Sequence, residues 1–110
     1  MSLKIYAVTL ELVRRVGPLV RVLRGRSPVL GDQLERALIS VPLNIAERAY
    51  SRGRNRQARL QTAAASARES LACLETAEAM GFISGIEPGL TALFNPQVIG
   101  TLVRLVELRR

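Results

Sequence analysis

The chain has 110 residues, of which 48% are apolar, so it predicts a single domain over residues 1–110 and excludes a globally disordered protein. Aromatic residues make up only 4% and Trp is absent, so we expect a core of Leu, Val, Ile and Ala. The net charge is +7, and every basic residue except Lys4 is Arg. This balance favours an acidic partner such as nucleic acid, an anionic membrane surface or an acidic protein, although Arg covering a solvent face would give the same composition.

The first helix is predicted over residues 3–24, with a kink at Gly17–Pro18 because proline removes a backbone donor and crowds the preceding turn. Its apolar stripe is wider than a surface helix needs, so we expect burial on two sides, by the bundle and by something else. A loop over residues 25–31 should follow. Asp32 is then the expected N-cap of the second helix, and Glu35 completes a capping box.

The second helix should extend to about Ser51. Pro42 either kinks this helix or divides it, and we favour a kink because the apolar period continues through the proline. The third helix is predicted over residues 56–80. Gly81 is expected to end it, since glycine commonly occupies the first position after a helix.

The fourth helical region begins as a short turn at residues 90–94 and restarts at Asn95–Pro96, which suit the cap and first positions of a helix. Short connections between helical segments imply antiparallel neighbours. The sequence therefore predicts an all-α fold, an antiparallel up-down-up-down four-helix bundle.

The residue types needed for catalysis are scarce. His is absent, which removes the commonest general base and metal ligand, and no phosphate-binding glycine loop or zinc spacing occurs. Cys73 stands alone among apolar neighbours, so we interpret it as a core residue rather than a nucleophile. We predict no enzyme activity, no cofactor and no metal site.

The predicted location is the cytoplasm. A single Cys allows no internal disulfide, and the apolar stretch after Lys4 is soon interrupted by Glu11, unlike that of a signal peptide. The longest uncharged run, residues 88–103, is short for a bilayer and contains two prolines, so we expect no membrane partner.

Polar residues follow one strip of the second helix and one strip of the third. These seam residues are Arg36, Ser40, Asn44, Glu47, Arg59, Thr62, Ser66 and Glu69. If the two helices are antiparallel and turn near Gly53, the strips face each other. The expected neighbours are then Glu47 with Arg59, Asn44 with Thr62, Ser40 with Ser66, and Arg36 with Glu69. We favour hydrogen bonds that fix the helix register over a site for a partner's polar groups.

A cluster of arginines surrounds the turn between the second and third helices. The candidate nucleic-acid-binding residues are Arg48, Arg52, Arg54, Arg56 and Arg59. Arginine forks suit phosphate oxygens, and a symmetric assembly would repeat the cluster around a ring. Only Tyr50 is aromatic here, so a stacking platform for single strands is poorly supported. The alternative is a solvated helix end and loop.

The run from Asp32 to Glu47 resembles the signature of four-helix-bundle proteins encoded in intervening sequences of bacterial 23S ribosomal RNA genes. Further similar positions lie at the start of the first helix and along the third: Ile5-Tyr6, Ala65-Ser66, Glu69, Ala77 and Gly81-Phe82. The chain departs from the family pattern at two glycine positions. The family commonly has Gly directly after the Ala-Glu pair, where this chain has Arg48. The family usually has Gly before the Ser of the third helix, where this chain has Ala65.

The resemblance implies a left-handed four-helix bundle assembled as a ring-shaped homopentamer. It also implies kinship with the accessory variability determinant proteins of diversity-generating retroelements, which are similar pentamers that bind nucleic acid and a reverse transcriptase. The expected function is therefore a non-enzymatic, basic oligomer that binds RNA or DNA or assists a nucleic-acid enzyme. The alternative is an interaction or scaffold oligomer without nucleic-acid binding, because the first helix carries broad apolar surface.

Overall fold

A computed structural model describes residues 2–108, and this part of the chain is helical and contains no strand. The helices are α1 (Ser2–Arg26), α2 (Pro28–Arg48), α3 (Gly53–Ala79), α4 (Pro88–Ala92) and α5 (Ile99–Leu108). Together with the kinked segment Leu93–Val98, α4 and α5 make the fourth helical region. The all-α prediction is therefore confirmed.

The connection between α1 and α2 is a single residue, so the predicted loop over residues 25–31 is wrong. Ser27 caps α2 instead of Asp32, because its Oγ accepts a hydrogen bond from the Leu30 backbone N–H at 3.2 Å. Pro28 follows at the first helical position, where its missing N–H costs no hydrogen bond.

Tight packing at this corner depends on Gly31. A Cβ atom on Gly31 would lie 2.7 Å from the Arg24 Cα atom, so only glycine lets the two backbones approach this closely. Arg24 binds Asp32 at 3.0 Å and Glu35 at 2.5 Å. Asp32 and Glu35 thus pair with α1 instead of capping α2, and their hydrogen bonds raise the pKa of Arg24.

Both internal prolines lie within continuous helices. α1 runs through Pro18 to Arg26, and α2 runs through the buried Pro42. α2 is one helix, but it ends at Arg48 rather than at Ser51. The next three residues form tighter turns, with hydrogen bonds that span three positions, such as Ser51 N–H to the Arg48 carbonyl at 3.1 Å.

α3 begins three residues earlier than predicted, at Gly53, and Gly81 follows its end as predicted. Gly81 has a φ of +78°, and the Phe82 N–H reaches back to the Ala77 carbonyl at 2.8 Å. This left-handed glycine and its paired hydrogen bonds satisfy the last carbonyls of the helix.

The fourth helical region breaks at Asn95, where the sequence predicted a restart. Asn95 has an extended backbone, with φ −124° and ψ 125°, between α4 and α5. Phe94, Val98 and Leu102 on either side of the break are fully buried. These side chains attach the fourth region to the core that α1, α2 and α3 share.

One segment meets the length and hydropathy requirements of a membrane span, although the sequence had led us to expect none. Residues Pro88–Leu108 contain a window of mean hydropathy 1.2, of which 33% is buried in the protein. The extended backbone at Asn95 interrupts this segment, and its largest side chains pack into the core.

The core is mostly aliphatic, as the composition predicted, with Phe94 as a buried aromatic exception, and Cys73 lies inside it with 4% exposure. Burial raises the pKa of the Cys73 thiol, with a further contribution from the nearby Glu69 carboxylate. The wide apolar stripe of α1 includes side chains that are partly buried against the same core, so the bundle itself covers much of the stripe; these residues are Tyr6, Val8, Val13 and Leu19. α2 exposes more apolar surface, at Ile39 and Leu43.

Candidate nucleic-acid interface

The basic end, residues 48–59, contains five arginines and no acidic residue. Arg52 and Arg54 are exposed and Arg56 is half-buried. Among residues 2–108, these three arginines take part in none of the ion pairs. Their guanidinium groups are therefore available to external anions.

Arg48 lies apart from the exposed arginines. Its side chain is 7% exposed, and its Nε has no hydrogen-bond partner within the described part of the chain. Burial lowers the pKa of Arg48, and repulsion by Arg56 lowers it further. Arg48 lines a cavity of about 570 Å³ between α1, the end of α2 and α5. The five predicted arginines thus do not form one surface.

Arg59 belongs to the polar seam. It donates to Asn44 Oδ1 at 3.2 Å, and its Nη2 lies 4.0 Å from Glu47 Oε1. These contacts hold the guanidinium beside α2, so Arg59 is less free than Arg52 and Arg54 to bind phosphate.

The seam continues from Asn44 as a chain of hydrogen bonds between α2 and α3. Asn44 Nδ2 donates to Ser40 Oγ at 2.9 Å, and Ser66 Oγ donates to the same oxygen at 2.8 Å. Together with the Arg59–Asn44 bond, the Ser66–Ser40 bond links α3 to α2 at two positions. Because Ser66 is buried, this bond satisfies a hydroxyl that water does not reach.

Two of the expected seam pairs form no hydrogen bond within the described part of the chain. Asn44 bonds to Arg59 rather than Thr62, and Glu69 accepts a hydrogen bond from Gln33 at 3.4 Å rather than from Arg36. The reason is side-chain reach: long Arg and Gln side chains cover a full helical turn, so spacing alone does not select their partners. Gln33 lies outside the predicted set.

The outer part of the seam borders an open groove rather than the interior. Arg36, Glu47, Thr62 and Glu69 are exposed. The groove has a volume of about 640 Å³, and its apolar wall is formed by Ile39 and Leu43, which are 46% and 58% exposed. Polar and apolar side chains thus share the outer surface of α2.

The acidic end, residues 69–87, has the opposite charge pattern. It contains four glutamates and no basic residue. Arg54 and Glu75 lie 21 positions apart on α3, about 30 Å at the rise of an α-helix. This second run of charge is as visible in the sequence as the arginine cluster is.

The sequence profile described as 23S rRNA-intervening sequence protein matches residues 1–88, which is 88 of the 110 residues. The chain belongs to the 23S rRNA-intervening sequence protein family. No curated protein and no solved structure matches the chain. The profile covers α1 to α3, which contain the seam and the basic end, and stops before α5. The resemblance inferred from residues 32–47 is confirmed.

Catalysis has no support in this site. The family consists of small helical proteins not known as enzymes. Within residues 2–108, no group of three acidic, Cys or His side chains could hold a metal ion. The chemistry that the exposed arginines offer is the binding of anions.

Proposed function

We propose that this protein is a non-enzymatic, self-associating bundle of antiparallel up-down-up-down helices that binds nucleic acid through Arg52 and Arg54. The observation that carries the proposal is the basic end: five arginines in twelve residues, no acid among them, and two of them exposed without an ion pair. Membership of a family named for ribosomal RNA intervening sequences is in keeping with it.

Binding would be directed at the phosphate backbone. Arginine forks bind phosphate oxygens in pairs, and each phosphate contact releases condensed counterions. Tyr50 is 88% exposed and is the one aromatic side chain of the basic end. A single aromatic gives little stacking, so we expect weak base preference and a steep dependence on salt.

Self-association would increase the affinity for nucleic acid by placing several copies of this weak binding site on one particle. The exposed Ile39 and Leu43 provide apolar surface for a second copy, and the family resemblance suggests a homopentamer. A ring of five copies would present ten exposed arginines along one face and would bind a polyanion with avidity. In the cytoplasm such a ring would serve as an accessory to a nucleic-acid enzyme, such as a retroelement reverse transcriptase.

The test is a fluorescence-anisotropy titration of structured RNA and duplex DNA across a salt series. The double variant Arg52→Gln/Arg54→Gln should weaken binding to both and lower the log–log salt slope by about 2, at roughly 0.9 per phosphate contact. The matched control is Arg21→Gln/Arg68→Gln, which removes two exposed arginines outside the basic end.

Equal affinity in the Arg52/Arg54 variant and in the wild type would exclude the basic end as the binding site. Binding that vanishes above low salt would favour the alternative function, a scaffold oligomer without a nucleic-acid role. The observation behind that alternative is the exposed apolar wall of Ile39 and Leu43. Both functions require an oligomer. A stable monomer at micromolar concentration, measured by light scattering, would therefore contradict both.

A further inference from the structure

The cavity lined by Arg48 has the composition of a ligand site. Its volume is about 570 Å³, within the range of about 300–1,000 Å³ typical of small-molecule sites. Ile5, Val8 and Leu105 supply apolar walls, and Lys4 and Arg48 supply two cationic groups. The basic end and this cavity share Arg48 but differ in chemistry, because one is an exposed charged turn and the other a half-enclosed apolar space.

Arg48 is the observation that points to a ligand. Its side chain is more than nine-tenths buried, and its Nε has no hydrogen-bond partner among residues 2–108. An arginine does not escape burial by losing its proton, so the unsatisfied donor carries a lasting energetic cost. The positive charge of Arg56 repels Arg48. A bound anion would remove both penalties.

We propose that this cavity binds an organic anion with an aliphatic body, whose carboxylate or phosphate head contacts Arg48 and Lys4. The aliphatic body would lie against Ile5, Val8 and Leu105. Inorganic anions lack the apolar body and a neutral alcohol lacks the head, so neither satisfies both halves of the site. This proposal is independent of nucleic-acid binding.

The probes are octanoate and octyl phosphate, titrated into the full chain by isothermal calorimetry. We expect saturable binding of at least one of them, and the better probe identifies the head group. 1-Octanol should bind about tenfold more weakly or worse, because it loses a charge-assisted hydrogen bond that contributes roughly that factor. Acetate and inorganic phosphate should also bind about tenfold more weakly or worse, because they lose the burial of the aliphatic body. No saturable binding of either probe, or equal binding of 1-octanol, would overturn the proposal.

Variants locate the site. Arg48→Met keeps an unbranched, flexible side chain and removes the charge, so it should weaken binding about tenfold or more. Arg68→Met makes the same change on the exposed surface of α3 and should leave affinity unchanged. Binding that survives Arg48→Met would contradict the assigned head-group contact.

Val8→Phe fills the cavity without touching a charge and keeps the test decisive if Arg48→Met does not fold. It should abolish octanoate and octyl phosphate binding while leaving RNA affinity and its salt slope at wild-type values. Retained probe binding in Val8→Phe would place the probe elsewhere and overturn the proposal. Since the basic-end variant Arg52→Gln/Arg54→Gln should bind the probes normally, failure of the cavity and failure of the nucleic-acid site are distinguishable.

Discussion

The two ends of the α2–α3 pair differ in whether their charged side chains form ion pairs. Where α2 starts, Arg24 lies within ion-pair distance of both Asp32 and Glu35, and the neighbouring loop residue Glu87 pairs with Arg15. At the basic end, Arg52 and Arg54 have no such partner among the described residues. Charges that hold a fold together are matched locally, whereas unmatched like charges raise the energy of the free protein. The basic end is therefore the place to look for a partner.

The same contrast appears in two buried groups. Arg48 at the basic end is buried beside the like charge of Arg56, and Cys73 on α3 is buried near Glu69, which opposes thiolate formation. The thiol avoids the penalty by staying neutral, but the guanidinium has no neutral form at ordinary pH. Of these two buried groups, only Arg48 therefore keeps an unrelieved charge.

The largest expected effect concerns the close approach that the paired end requires. Gly31→Ala should lower the free energy of unfolding by about 2–3 kcal/mol, because the new Cβ meets Arg24 backbone atoms that have no free direction to move. Urea unfolding followed by circular dichroism measures this. The control is Gly25→Ala, where nothing lies within 4 Å, and alanine should stabilise α1 by up to about 1 kcal/mol. Equal effects at both positions would show that the corner is not tightly packed.

The next effect is a pH dependence that belongs to Cys73. Burial and Glu69 raise the pKa of the folded thiol, while the unfolded thiol ionises near its ordinary pKa of 9.0. Above that pH the unfolded state loses its proton and the folded state keeps it, so stability falls by about 1.4 kcal/mol per pH unit until the folded pKa is reached.

Unfolding measured between neutral and alkaline pH tests the Cys73 prediction, with Cys73→Ala as the control. The alanine variant should lack this component, and iodoacetamide should react with native Cys73 far more slowly than with the unfolded chain. A pH profile shared by both proteins would assign the decline to other groups.

A smaller effect tests the seam between the two ends. A double-mutant cycle on Ser40→Ala and Ser66→Ala should give a coupling of about 1 kcal/mol, the net contribution of one buried hydrogen bond. Thr62→Ala makes a comparable deletion at an exposed seam position and should change stability by less than about 0.5 kcal/mol. A coupling near zero would mean that the apolar core alone fixes the register.

The smallest expected effect separates function from folding at the basic end. Arg52→Gln/Arg54→Gln should change the free energy of unfolding by no more than about 0.5 kcal/mol, and any change should be stabilising because like charges are removed. Urea unfolding at low salt gives the clearest comparison. A large loss of stability would show that these arginines are structural and would undermine their use as binding-site probes.

Sequence patterns predicted those features of the fold that residues close in sequence determine. Apolar spacing indicated the helices, Gly81 marked the end of α3, and the neighbours of Cys73 indicated burial. Asp32 was misread as a cap because Ser27 and Pro28 form an equally local signal, and the sequence does not show that Arg24 would take the carboxylate. The ends of helices are decided by such competition between nearby residues.

The site was less predictable than the fold. Five arginines close in sequence suggested one patch, yet Arg48 is on the buried side of α2 and Arg59 reaches across to Asn44. Successive residues of an α-helix are rotated by about 100° about its axis, so side chains that are close in sequence point in different directions. Only the packing of α1 and α5 around the end of α2 decides which arginine becomes buried.

The separation of the basic and acidic ends along α3 has a kinetic consequence. Opposite charge excesses about 30 Å apart on α3 give this helix an electric dipole along its axis. Near a polyanion this dipole feels a torque that turns the basic end forward before any contact forms. Encounters would then be productive over a wide range of starting orientations, and raising the ionic strength would slow association by shortening the distance over which the molecule is aligned.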